Sequence, residues 1–162
     1  MRRVPRSAAV AVTLAAALVA SACGKGPATA AAKGDRIIYA TLDDCVDAGK
    51  LQPAECDTII EAAVGQHEKS AVTYRTIDEC EKAEGIERCE RTATGAYKPR
   101  PSAFLVTLAP KAAAEPMYLA LKKVNAYRTA KGTVVKPDGD TPFSDRARDR
   151  LSDLREKKNR RS

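Results

Sequence analysis

Tryptophan is absent from the 162 residues, phenylalanine occurs twice and histidine once. With aromatics at 4% of the chain, the core has to be small and aliphatic. The single histidine, His67, excludes His-rich metal clusters and leaves triad chemistry only if it stands beside a nucleophile. There is no Cys-x-x-Cys, which removes the usual thiol oxidoreductase signature. Zinc sites need closely spaced ligands, whereas ten residues separate Cys45 from Cys56 and eight separate Cys80 from Cys89. The apolar run from Ser7 to Ala20 is shorter than the ~20 residues a spanning helix requires.

That run has another use. Arg2, Arg3 and Arg6 precede it and Ala20-Ser21-Ala22-Cys23 follows it, the layout of a secretory signal peptide. The small residues before Cys23 suit ordinary signal peptidase. They also resemble a lipobox, with Ala20 where leucine is usual. Cysteine arithmetic separates the two readings. Five cysteines leave one unpaired in an oxidising compartment. Lipid on Cys23 leaves an even set, Cys45, Cys56, Cys80 and Cys89, for two disulfides. The expectation is a lipoprotein cut before Cys23 and facing the periplasm, with Gly24 favouring the outer over the inner membrane.

Charge is unevenly spread. The chain is +7 overall, but residues 35–90 hold 14 acids and 6 bases, a net of −8. Residues 91–162 hold 7 acids and 17 bases, a net of +10. Export rules out a nucleic-acid partner for the basic half. Anionic lipid, cell wall, an envelope protein or the chain's own acidic half remain. Residues 23–35 read as a lipidated flexible tether, 36–136 as a globular domain, and 137–162 as a loop with a basic helical tail.

The domain contains a repeat of period 35. Tyr39-Ala40-Thr41-Leu42-Asp43-Asp44-Cys45 matches Tyr74-Arg75-Thr76-Ile77-Asp78-Glu79-Cys80. In each copy a threonine, Thr41 or Thr76, caps a short helix, with an acid three residues on as in a capping box. Gly49 and Gly85 are candidate stops. Four cysteines allow three pairings; the repeat favours the local ones, Cys45 with Cys56 and Cys80 with Cys89. Asp57–Ala71 predicts a longer helix with Ile60, Val64, His67 and Ala71 on one stripe. Pro99 and Pro101 forbid regular helix, and Phe104–Leu108 predicts a strand. Tyr127–Thr129 and Thr133–Val135 flank Ala130-Lys131-Gly132 as a hairpin, while 112–123 suits either helix or strand. Ser144 caps a last helix carrying Ala147, Leu151 and Leu154 and ending in Lys157, Lys158, Arg160 and Arg161. The fold class is therefore α+β: a small disulfide-stapled domain with two capped-helix repeats, one longer helix, a small antiparallel sheet or hairpin, and a charged C-terminal helix.

The doubled Tyr-x-Thr-x-Asp-acid-Cys motif resembles an uncharacterised proteobacterial lipoprotein family typified by the enterobacterial YgiB protein. The Ala63 to His67 spacing, Glu115-Pro116-Met117-Tyr118 and Tyr127–Gly132 extend the likeness over residues 39 to about 135. The chain lacks the long Gly/Gln-rich segment of that family and adds a charged terminal helix. The resemblance implies an envelope location and a shared fold, and supplies no activity.

No catalytic residue, cofactor or metal ligand is expected. Asp43-Asp44 and Asp78-Glu79 read as helix starts rather than paired catalytic acids. Asp138-Gly139-Asp140 is no calcium loop, because Phe143 stands where an EF-hand needs glycine. Function is expected to be non-catalytic binding or structural support in the envelope, with Lys157, Lys158, Arg160 and Arg161 contacting an anionic surface. His67 reads first as a semi-buried helix residue hydrogen-bonded to a nearby acid; the alternative is a small-ligand carrier or enzyme using a groove beside His67, where that histidine binds a ligand or senses pH.

Overall fold

The computed structural model describes residues 35–120 and 125–159. The chain runs through strand β1 (Arg36–Tyr39), helices α1 (Leu42–Asp47), α2 (Pro53–Ser70) and α3 (Ile77–Glu84), and strands β2 (Cys89–Arg91), β3 (Tyr97–Pro99) and β4 (Ala103–Thr107). It continues through β5 (Ala113–Leu119), β6 (Tyr127–Thr129), β7 (Val134–Val135) and helix α4 (Asp145–Asn159). Five strands form one antiparallel sheet in the order β1-β4-β5-β6-β7, and β2 pairs with β3 separately. The α+β class with two stapled helical repeats is borne out. Among the described residues no helix is long and apolar enough to cross a membrane.

Both repeats start their helices in the same way. Thr41 Oγ1 accepts from Asp44 N–H at 3.2 Å, and Thr76 Oγ1 accepts from Glu79 N–H at 3.2 Å. The acids reach back one residue beyond the cap, where Asp44 accepts from Ala40 N–H at 2.7 Å and Glu79 from Arg75 N–H at 3.1 Å. These bonds satisfy amides that a helix N-terminus leaves open. Gly85, at φ 105°, ends α3 in a conformation that L side chains rarely adopt. Each helix is then pinned by its own disulfide, Cys45–Cys56 to the start of α2 and Cys80–Cys89 to β2. Such short loops contribute about 3 kcal/mol each in the chain-entropy account.

Both faces of the five-stranded sheet are covered. On one lie Tyr39 and Val106, packed with Cys45, Cys56, Ile59 and Ile60 of α1 and α2. On the other lie Ile38, Leu105, Met117 and Tyr127, packed with Phe143, Ala147 and Leu151.

Several expectations need adjusting. The long helix begins at Pro53, four residues earlier than the apolar stripe implied, because proline suits the first helical turn and Glu55 accepts from Gln52 N–H at 3.0 Å. Its buried face is Cys56, Ile59, Ile60, Ala63 and His67; Val64 is 42% exposed and Ala71 is the C-cap. Of 112–123, residues 113–119 are strand, held between β4 on one side and β6 on the other. The short strands β1, β2 and β3 had no signal of their own.

The C-terminal loop and helix pack against the rest of the chain. Ile38 N–H donates to Pro142 O and Ser144 N–H to Ile38 O, both at 2.9 Å. Tyr127 hydroxyl donates to Ala147 O at 3.0 Å, and Tyr127 stacks on Phe143 at 5.7 Å. Ser144 caps α4 through Ala147 N–H and donates to Asp44, so the last helix is tied to the first repeat. Without Phe143, Ala147 and Leu151, the Ile38–Met117 face would be open to water. Leu151→Ala is therefore expected to lower stability by about 2–5 kcal/mol in denaturant unfolding. A loss below about 0.5 kcal/mol would return α4 to the status of an appended tail.

Candidate functional site

His67 lies on the last turns of α2 with its ring inward, 2% exposed. Its Nδ1 is 2.9 Å from the Tyr118 hydroxyl on β5, and its Nε2 is 3.4 Å from Glu90 Oε1 on β2. Burial raises the Tyr118 pKa, so that phenol keeps its proton. One arrangement satisfies all three groups: Tyr118 O–H donates to Nδ1, and Nε2–H donates to the Glu90 carboxylate. Burial, followed by the repulsion of Lys98, lowers the His67 pKa, partly offset by the Glu90 hydrogen bond and the charges of Glu90 and Glu68. The imidazole is neutral at neutral pH.

Lys98 of β3 closes the cluster. Its side chain is 4% exposed and its ammonium donates to Glu68, while lying 3.5 Å from Glu90 Oε1. Arg100 Nε approaches Glu90 Oε2 at 3.8 Å from the exposed side. His67, Glu68 and Glu90 bring ligand atoms within 4.8 Å of one another, the spacing a small cation would need. The Lys98 ammonium already supplies the positive charge between the two carboxylates. A metal ion would have to displace it.

A second cluster adjoins the first across Tyr118. Arg128 of β6 lies 5.0 Å over the Tyr118 ring and pairs with Glu84, which also accepts from the Tyr74 hydroxyl at 3.0 Å. Arg88 donates to Glu84 O at 3.3 Å and Ala120 O at 3.4 Å. Together the clusters tie α3, β2 and β3, the second repeat, to the sheet. Both ring nitrogens of His67 are engaged in this packing.

The His67 ring is enclosed by Tyr118 and Glu90. An open cleft of about 700 Å³ lies on the other face of the sheet, floored by Leu105 and Glu115. Cys23, Arg160 and Arg161 fall outside the described residues, and only the backbone of Lys157 and Lys158 is described. The four remaining cysteines form the two local pairs. Tyr118, Glu90, Lys98 and Glu84 were missed. Their signal was the burial-prone Met117-Tyr118 strand beside isolated charges, and a charge in sequence carries no mark of being buried.

The sequence profile of a family described as a protein of unknown function (DUF1190) matches residues 33–161. The chain belongs to that family. The match takes in both repeats, the sheet and all of α4, so the last helix is part of the family's own unit. The UPF0441 protein plu3956 of Photorhabdus laumondii is 31% identical over 87 residues, 54% of this chain. The match spans about a third of that relative's length, 35%. No solved structure matches the chain.

The lowered His67 pKa has a definite pH consequence. The unfolded chain takes up the proton near pH 6.5 and the fold resists it, so stability is full above 6.5 and falls as pH drops towards the folded-state value. Glu68, held low by Lys98, loses its contribution only below its ordinary 4.5, in a separate window. Urea unfolding between pH 7 and 5 is expected to show declining stability in the native chain and a flatter profile in His67→Gln. Parallel profiles would contradict the buried neutral imidazole.

Proposed function

We propose that this chain is an exported lipoprotein, anchored through lipid on Cys23, that acts by binding rather than catalysis. The observation that carries the reading is the cysteine balance. Cys45 pairs with Cys56 and Cys80 with Cys89, which leaves over the cysteine that ends the signal-like run. Disulfides persist in oxidising compartments, which favours the periplasmic side of an envelope. Gly24 after the lipidated residue favours outer-membrane over inner-membrane sorting. The commitment of His67, Glu90 and Lys98 to packing supports a binding or structural role over an enzymatic one.

The basic end of α4 makes part of the contact, with anionic lipid or wall polymer. Leu151 is consumed by the core, so the helix has little apolar surface to insert, and attraction is electrostatic and salt-sensitive. Each surface-near Lys or Arg adds ~1 kcal/mol at low salt.

Two measurements test the reading. Intact mass of the protein from membranes is expected to show acyl chains on Cys23, and Cys23→Ala is expected to move the protein to the soluble fraction. A mature mass without lipid sinks the anchor. In the Cys23→Ala background, reversing Lys157, Lys158, Arg160 and Arg161 to Glu is expected to abolish low-salt pelleting with anionic vesicles or sacculi, leaving Leu151 and the core untouched. Equal pelleting of both versions dismisses the basic end as a contact.

A further inference from the structure

We propose that the end of the five-stranded sheet where β1 begins is the surface that rests on the membrane, with Arg36, Lys111 and Lys131 against anionic phospholipid headgroups. The antiparallel order brings these bases to one end from distant places in the sequence. β1 starts there, β4 turns into β5 there, and the β6–β7 turn folds there. Arg36 stands opposite Thr107 and Thr107 opposite Ala113, so Arg36 shares an edge row with the β4–β5 loop that holds Lys111. Thr129, the last residue of β6, stands opposite Met117, and Lys131 follows two residues on, back towards the same edge. Arg36 and Lys131 also line one cleft. All three bases are exposed, and none is ion-paired with another described residue. The acids at this end are Asp35 at the strand start and Glu115, two residues inward on β5. Four inter-strand gaps spread the bases over about 19 Å, a spacing that meets several headgroups rather than cradling one ligand.

The place where the anchored segment joins the domain selects this end. Twelve residue steps separate Cys23 from Asp35, immediately before β1. A coil of that length spans about 19 Å and at full stretch about 43 Å, whereas β5 alone is about 24 Å long. The lipid therefore holds the start of β1 nearer the bilayer than the far end of the sheet, and keeps headgroups at high local concentration around its bases. Residues 24–34 add Lys25 and Lys33 and no acid. Acidic elements lie the other way. Helix α1, with the exposed Asp43, follows the far end of β1. Arg88, just past the acidic helix α3, reaches the Ala120 carbonyl beyond the far end of β5. Turning that end to an anionic surface would set like charge against like.

This deepens the lipoprotein reading and rests on the lipid at Cys23, but does not need the basic end of α4. The test is amide NMR of the lipidated full chain on nanodiscs that carry a gadolinium-chelating headgroup lipid, with phosphatidylglycerol or phosphatidylcholine as the bulk lipid. The expected result on phosphatidylglycerol is broadening at Arg36, Lys111 and Gly132, with Asp43 and Ile86, two residues before Arg88, spared. Replacing both lysines, Lys111→Gln and Lys131→Gln, is expected to remove that contrast. In the Cys23→Ala chain the same pair is expected to weaken partition onto phosphatidylglycerol vesicles about fivefold per base and about 25-fold together. Both lysines are exposed, and unchanged thermal unfolding of the variant checks the fold. Broadening confined to α4, equal broadening at Ile86, or the same pattern on phosphatidylcholine overturns the inference. Intact mass of the same sample separates the two failures: acyl chains on Cys23 keep the anchor when this surface fails, and a mass without them overturns both.

Discussion

Adjacent residues on β1, β4 and β5 serve opposite faces of the sheet. Ile38 and Tyr39, Leu105 and Val106, and Met117 and Tyr118 alternate between the α4 face and the α2 face of one sheet. A sheet buried on both sides needs two covers. In a chain with two phenylalanines and no tryptophan, neither cover can be a large aromatic slab. One side is covered by α1 and α2, fastened together by Cys45–Cys56. The other is covered by Phe143, Ala147 and Leu151, which explains why the chain returns to β1 before α4 begins.

The second repeat is attached by different means. The strands β2 and β3 belong to a separate sheet, and the apolar clusters on the two faces of the main sheet do not include them. Charged and polar contacts bridge the gap: Lys98 with Glu68, Glu90 with His67, and Glu84 with Arg128. Buried ions are costly to leave unpaired, so each partner holds the others in place. The same logic makes the histidine a joint between α2, β2 and β5.

The two repeats show how a shared motif diverges. In the second, the Tyr74 hydroxyl donates to Glu84. Thirty-five residues earlier Gly49 stands at the position of Glu84, and the buried Tyr39 hydroxyl has no partner among the described residues. The first copy has traded a polar bond for a turn that sends the chain into α2. The identity of the motif predicted two similar helices, and the difference at one position separates a core helix from an ionic one.

Local chemistry was legible wherever neighbours in sequence decide it. The threonine caps, the helix stop at Gly85, the paired cysteines, the Tyr127–Val135 hairpin and the Ser144 cap all rest on contacts within about a dozen residues. Long-range pairing was not legible. β1 is four residues long and its strand character exists only because β4 lies beside it; β5 accepts helix-forming alanines because two neighbouring strands claim its backbone. Lys98 and Glu84 look like ordinary surface charges until the fold brings partners from 30 and 44 residues away. By itself the sequence determined the capped repeats, their staples and the uneven charge, because those depend on spacing alone. The sequence also placed His67 as a semi-buried helix residue beside an acid; only the tertiary structure decided that its partners are Tyr118 and Glu90, that α4 closes a core and that a cleft lies on the far face, because such contacts are set by what the rest of the chain packs around a residue.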